Sequence, residues 1–228
     1  MGEIKNGILS ELKGSVGHVT GRIVNGRNIL SRKSGFRKVS ASPNLLKVKN
    51  KFKIGVKLGS AMNKFDVLKA VWKNNTPDGM NFFSYFVQSN YKLTGEGVLT
   101  NKNIITPYGG FPVDVTANDI TSTSVSITLG ALAGTYNFDT NAETNVKMCA
   151  VIYLSGTADL QAAPYYLMTV DFDPQAMQLD NTLSFTRALL KADQVIFESY
   201  TDHKVYAAIV TLDADNNPVN FSSTICIE

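Results

Sequence analysis

The chain has 228 residues, 44% of them hydrophobic, and a net charge of +3 at neutral pH. That length holds one large domain or two small ones, and that apolar content supports a buried core and excludes global disorder. The charge is split: residues 1–75 carry sixteen Lys/Arg against three acids, net +13, and residues 76–228 carry six against sixteen, net −10. A division this sharp predicts two functional halves, the basic one facing nucleic acid or an acidic protein surface.

Residues 1–12, MGEIKNGILSEL, form a short arm with Ile4, Ile8, Leu9 and Leu12 as apolar anchors. Such arms are loose until something ties them down. Lys13 to Lys33, KGSVGHVTGRIVNGRNILSRK, is two β-prone runs meeting at Asn25-Gly26. Asn-Gly favours a type I′ hairpin turn, because both central residues need positive φ. No acid occurs from residue 12 to 65, so the ribbon is basic as well as glycine-spaced. Its apolar residues Val16, Val19, Ile23, Ile29 and Leu30 do not alternate cleanly. A lone two-stranded hairpin is marginal in water, so this one is expected to dock on the rest of the chain or on a partner.

Residues 36–41 read as a linker. Ser42-Pro43 then starts a helix, with Ser as N-cap and Pro at the first helical position. Leu45, Val48, Phe52, Val56, Gly59 and Met62 recur at helical spacing, which predicts the buried face. Lys47, Lys49, Lys51, Lys53 and Lys57 then fall on the exposed side. Gly55 and Gly59 each cost this helix about 1 kcal/mol against Ala and are expected to permit close packing or a bend. Asp66 to Lys73 continues as a second helix burying Val67, Leu68, Val71 and Trp72, and residues 74–79 form a loop. Met80 to Tyr91 is the densest aromatic segment. Phe82, Tyr85 and Phe86 share a helical face there, read as the core of the helical half rather than as a stacking platform for single-stranded nucleic acid.

After residue 95 the pattern changes. Runs at 103–107, 111–115, 124–129, 146–154, 165–172, 182–187, 204–212 and 221–227 are short, β-branched and aromatic, and turn-rich stretches separate them. That many short strands predicts an antiparallel immunoglobulin-like β-sandwich. A hairpin loop is expected at 213–218 and a short crossover at 188–194. The expected fold is α+β: a basic arm, β-hairpin and short helices over 1–95, then the sandwich over 96–228.

Little in the chain points to catalysis. His18 lies in the ribbon and His203 in a polar turn, with no partner constellation for either. Asp213 and Asp215 in DADNN resemble the start of a calcium loop, but the sixth-position glycine and distal glutamate are missing, so a hairpin turn is expected. Asp171 and Asp173 share a strand face without an identifiable partner. Cys149 and Cys226 are expected to be buried free thiols, with an inter-sheet disulfide as the alternative. The sequence shows no phosphate loop, zinc pattern or dinucleotide fingerprint, and the reading is a non-enzyme with no metal or cofactor. The N-terminal residues lack the apolar core of a secretory signal and no apolar run reaches membrane-span length, so synthesis and folding in a cytoplasm are expected, with no membrane partner.

The basic arm is the one positive signal. Lys13, Arg22, Arg27, Arg32, Lys33, Arg37, Lys38, Lys47, Lys49, Lys51, Lys53 and Lys57 form the candidate surface, for phosphates or for an acidic protein face. Opposite charge on the two halves invites head-to-tail contact between copies, and an open hairpin edge can be completed by a neighbour's strand.

Gly7-Ile8-Leu9, the run Gly14 to Arg22, the run Asn25 to Arg32, the proline-started helix with Lys51-Phe52, the segment Phe82 to Asn90 and a β-rich half ending near Ser222-Ser223 together resemble a domain family of Bacteroidota genomes and of the phages that infect them. Members commonly carry a tryptophan in the first hairpin, where this chain has Ile23-Val24. The resemblance brings no catalytic residues. It implies a structural protein of a bacteriophage virion, made in the host cytoplasm, with other virion proteins and copies of itself as partners. DNA binding by the basic half is the first alternative, and a host-surface or carbohydrate-binding module using Tyr108 and Tyr166 the second.

Overall fold

A computed structural model describes residues 2–3, 13–24, 27–33, 42–157 and 163–228. The Asn25-Gly26 turn, most of the N-terminal arm and the expected linker, with Arg37 and Lys38, lie outside them. The architecture is mixed α and β, and its sheets are antiparallel. The chain forms two compact units, Met1–Leu45 and Leu46–Glu228.

The first unit is a sheet of β1 (Gly2–Glu3), β2 (Gly14–Val16), β3 (Val19–Val24) and β4 (Arg27–Arg32), in the order β1-β4-β3-β2. Val24 pairs with Arg27, leaving two residues for the connection, as the Asn-Gly signal requires. The hairpin is thus the middle of a four-stranded sheet.

The second unit opens within α1 (Pro43–Met62), where Ser42 Oγ accepts from the Leu45 amide. Then come α2 (Asp66–Asn74) and α3 (Phe82–Tyr91), the latter capped by the Asn81 side chain accepting from the Phe83 and Ser84 amides. The strands are β5 (Val115–Ile120), β6 (Ser124–Leu129), β7 (Asn145–Ser155), β8 (Tyr165–Asp171), β9 (Gln175–Ala176) and β10 (Leu183–Ala188). After α4 (Lys191–Glu198) come β11 (Asp202–Leu212), β12 (Pro218–Phe221) and β13 (Ile225–Ile227). One sheet runs β10-β6-β5. The larger runs β12-β11-β7-β8, with β13 also on β11 and β9 also on β7.

β7 and β11 pair along all eleven residues of each. Their even and odd positions face two different cores. Val146, Met148, Ala150, Ile152 and Leu154, with Val205, Ala207 and Ile209, meet Val125, Ile127, Leu129, Leu183 and Phe185 of the smaller sheet. Cys149, Val151 and Tyr153, with Tyr206, Ala208, Val210 and Leu212, meet Ile54, Leu58, Met62, Leu68, Trp72 and Phe86 of the helices. A strand buried on both faces reads as a continuous apolar run, which explains MCAVIYL and VYAAIV.

This layering corrects the expected boundary at residue 95. The helices share a core with the larger sheet, because half the side chains of β7 and β11 are apolar toward them. The expected buried face of α1 holds in its second half, where Gly59 and Met62 are buried and Val56 is half-buried, joined by Ile54, Gly55, Leu58 and Ala61; it fails in the first half, where Val48 and Phe52 are exposed. Among the described residues the core covers the second half of the helix, and the apolar side chains of the first half stay largely exposed.

Two expected strands are not regular strands. Residues 103–107 form a loop pinned by side chains: Asn90 Oδ1 accepts from the Ile104 amide at 2.9 Å and from Asn103 Nδ2 at 3.1 Å. Thr224 Oγ1 accepts from the Ile105 amide at 2.8 Å, and Trp72 Nε1 donates to the Ile105 carbonyl at 2.8 Å. Of 111–115, Phe111 makes a single bridge to Ser222 and Val115 begins β5. Residues 213–217 form the expected hairpin loop between β11 and β12, and α4 lies at the expected crossover.

Candidate functional site

In the first unit, cross-strand register decides which side chains share a face. Val16 pairs with Val19, Ile23 with Asn28 and Gly21 with Leu30, so Val16, Val19, Ile23 and Leu30 stand on one face. Val16 is 62% exposed, Ile23 43% and Val19 38%. The opposite face carries Thr20, Arg22, Val24, Arg27, Ile29 and Ser31, with Val24 40% exposed, while Asn28 and Arg32 stand on the Val19 face, so each face mixes apolar and polar side chains. Ser15 Oγ and Thr20 Oγ1 are 2.8 Å apart on this opposite face. Lys13 and Lys33 are exposed beside the strands, and the Lys33 amide donates to the His18 carbonyl at 2.6 Å.

The α1 lysines belong to the second unit and divide by role. Lys47 pairs with Glu96 at 3.0 Å, both exposed, a contact that contributes little to stability. Lys51 Nζ lies 5.2 Å from the centre of the Tyr91 ring, a cation–π contact. Lys49 is exposed. Lys53 lines two adjoining clefts of about 640 and 450 Å³, which also share Pro164 and Tyr165, and Lys57 lines the smaller one. Asn50, Lys53, Lys57 and Ser60 recur at three- and four-residue spacing on this flank, with Lys64 just past the helix end. Lys204, Tyr153 and Tyr165 complete the walls. The Tyr153 and Tyr165 rings are 5.9 Å apart, and burial raises both hydroxyls above the usual tyrosine value. The spacing of Lys64 after Lys57 was visible in the sequence. The tyrosines were not, because only sheet pairing brings residues 153 and 165 beside α1.

The other candidates take ordinary structural places. Phe86 is fully buried with its ring 5.0 Å from Trp72, so the aromatic segment is core. Cys149 is buried and Cys226 half-buried, both free thiols, and burial raises both above the usual cysteine value. Asp171 pairs with Lys147 and Asp173 with Arg187, each at 2.9 Å. Asp213 Oδ1 accepts from the Asp215 and Asn217 amides, a turn-forming pattern, and the Asn217 side chain helps hold its carboxyl below the usual value. The His203 ring is 5.4 Å from Phe197, and His18 is exposed. Tyr108 is exposed in a turn, whereas Tyr166 lies within β8 rather than in a loop. Among the described residues no cluster of three or more His, Cys, Asp or Glu side chains could hold a metal, and no helix is long and apolar enough to cross a membrane.

No protein-family model matches the chain, and no curated protein matches it. Among solved structures it is similar to a selenomethionine-labelled β-glucosidase from Kluyveromyces marxianus, at 10% identity over 53% of this chain and 14% of that one, with a TM-score of 0.21. A likeness that slight carries no argument about fold or activity.

Proposed function

We propose that this chain is a non-enzymatic structural subunit that assembles in multiple copies, its basic N-terminal unit docking on the acidic larger unit of a neighbour. The bacteriophage virion is the setting that the family resemblance implies. In that setting the paired sheets act as an immunoglobulin-like module, displayed or packed side by side. The observation that carries the reading is the row of exposed apolar side chains Val16, Val19 and Ile23 on one side of the first sheet. A small sheet with a row of apolar side chains in water is marginal until something covers it. Charge favours a second copy as the cover: residues 1–45 hold eight Lys/Arg against two acids, net +6, and residues 46–228 hold fourteen against seventeen, net −3.

Light scattering at low and high salt, with and without DNA, tests this. A discrete oligomer without DNA, reduced to monomer by Val16→Asp with Ile23→Asp, is the expected result. A monomer that associates only with DNA, and releases it between 50 and 200 mM salt, overturns it in favour of nucleic-acid binding.

A further inference from the structure

The second unit carries a separate surface whose occupant can be read from its chemistry. Among the described residues β8 is the last strand on its side of the larger sheet. The Phe172 amide donates to the Met148 carbonyl at 3.3 Å, just beyond the Asp171–Cys149 pair. That bond fixes the parity of the ladder. Residues 166, 168 and 170 turn their backbone groups toward β7, and 165, 167 and 169 turn theirs to the outer edge. Edge strands are ordinarily blunted by a lysine, a proline or a bulge. YYLMTVD carries no lysine or proline, and its register to β7 is unbroken.

Beside this edge runs the lysine flank of α1. The 450 Å³ cleft is lined by Lys53, Lys57 and Lys64 on one wall and by Tyr165 and Leu167 on the other, with no acid among the described residues that line it. None of the three lysines is in an ion pair among the described residues. Lys53 and Lys57 are ~6 Å apart along the helix axis, close to the ~6.7 Å between alternate residues of a strand. Tyr165 and Leu167 project to the helix side of the sheet. A strand added to β8 in register would present every second side chain to the lysines. We infer that this cleft docks an extended acidic peptide, which joins the larger sheet through β8 and sets alternate carboxylates against Lys53, Lys57 and Lys64. Lysines alone would also attract a nucleic acid, but a nucleic acid has no use for a row of strand-edge amides and carbonyls, so the pairing of the two features favours peptide.

This inference does not depend on the assembly reading, and its test uses a different readout. The probe is a fluorescein-labelled heptapeptide alternating glutamate with valine and threonine, titrated with the full chain by fluorescence anisotropy. Two further versions carry N-methyl groups on alternate amides, one version for each phase. Saturable binding is expected, with one phase of methylation weakening it at least tenfold and the other leaving it nearly unchanged. The triple variant Lys53→Glu, Lys57→Glu, Lys64→Glu is expected to lose at least tenfold in affinity with an unchanged circular dichroism spectrum. Should that variant misfold, the neutral set Lys53→Gln, Lys57→Gln, Lys64→Gln takes its place. No saturable binding, equal binding of both methylated phases and the parent, or tighter binding of an oligothymidylate than of the peptide would each overturn the proposal.

Discussion

Two antiparallel pairs sit in this chain, and they are held together differently. β7 and β11 share an eleven-residue ladder buried on both faces, and their side chains from 146 to 154 and 205 to 212 are almost all inaccessible. β3 and β4 share a six-residue ladder in which only Gly21 is buried. Backbone hydrogen bonds are present in both, and each contributes only about 1 kcal/mol net because water competes for the same groups. Burial makes the difference, at ~25 cal/mol per Å² of apolar surface. The first pair is stable through what lies above and below it, and the second buries little apolar surface along its ladder.

The largest effect should come from Trp72, whose indole is fully buried against Tyr85 and Phe86 and donates to the Ile105 carbonyl. Trp72→Ala should destabilise the second unit by about 4 kcal/mol through cavity, lost ring contacts and an orphaned carbonyl. Urea denaturation followed by circular dichroism reads this. Val16→Ser with Ile23→Ser should leave the same midpoint within about 0.5 kcal/mol, as exposed substitutions do. A midpoint shifted equally by both would erase the distinction between the two regions.

Next in size is Asn90. It is fully buried, donates to the Phe86 and Ile104 carbonyls, and accepts from Asn103 and the Ile104 amide. Asn90→Leu keeps the branching at Cγ, adds bulk and strands those partners, and should cost about 2–4 kcal/mol. A smaller change than Trp72→Ala in the same denaturation series, with the largest gain in amide exchange at residues 100–106, is the expected signature. Unchanged exchange in that loop would mean it is held by the sheet rather than by Asn90.

Much of this was legible in the sequence, for reasons the contrast makes plain. Short β-branched runs bounded by turn residues located β6, β7, β8, β10 and β11 to within a residue or two. Asn25-Gly26 set the two-residue connection between β3 and β4. The sharing of one sheet between two cores was harder to see. It was written in the lack of alternation in MCAVIYL, which a two-layer sandwich with a solvated outer face would not show. The buried face of α1, right at Val56, Gly59 and Met62, extended too far toward the start of the helix because Leu45, Val48 and Phe52 continue the periodicity on turns that bury little. The loop at 103–107 resembled a strand because its amide partners, Asn90 and Thr224, are remote in sequence. The groove beside β8 required knowing that Tyr165 ends up next to Lys53, which no local pattern contains.

A backbone junction gives a smaller effect. A Cβ at Gly110 would lie 2.4 Å from the Ser222 carbonyl carbon, where Phe111 bridges to the strand end. Gly110→Ala should therefore cost about 2 kcal/mol, by parting that bridge, whose bonds are Phe111 amide to Phe221 carbonyl and Ser223 amide to Phe111 carbonyl. Denaturation of the variant reads the cost. A neutral result would show that the bridge adds nothing to a sheet already fixed from both faces.

The smallest effect is a gain, and it divides α1 itself along the same line. Gly55 and Gly59 are both helical and both buried. A Cβ at Gly55 meets nothing within 4 Å, whereas one at Gly59 would lie 3.0 Å from the Phe83 ring and 3.1 Å from the Phe86 ring. Gly55→Ala therefore collects the helix-propensity gain of up to ~1 kcal/mol with no steric charge against it. Gly59→Ala gains the same propensity but must displace two rings that close the helical core, so its net effect should be zero or negative, and Gly59→Leu should be destabilising by about 2 kcal/mol. A rise in thermal midpoint for Gly55→Ala alone assigns Gly59 to close packing and leaves Gly55 as a residue the fold does not require. Equal gains at both would mean that Phe83, which is only half-buried, yields freely, and that α3 is held on α1 by Phe86 and Val87 without it.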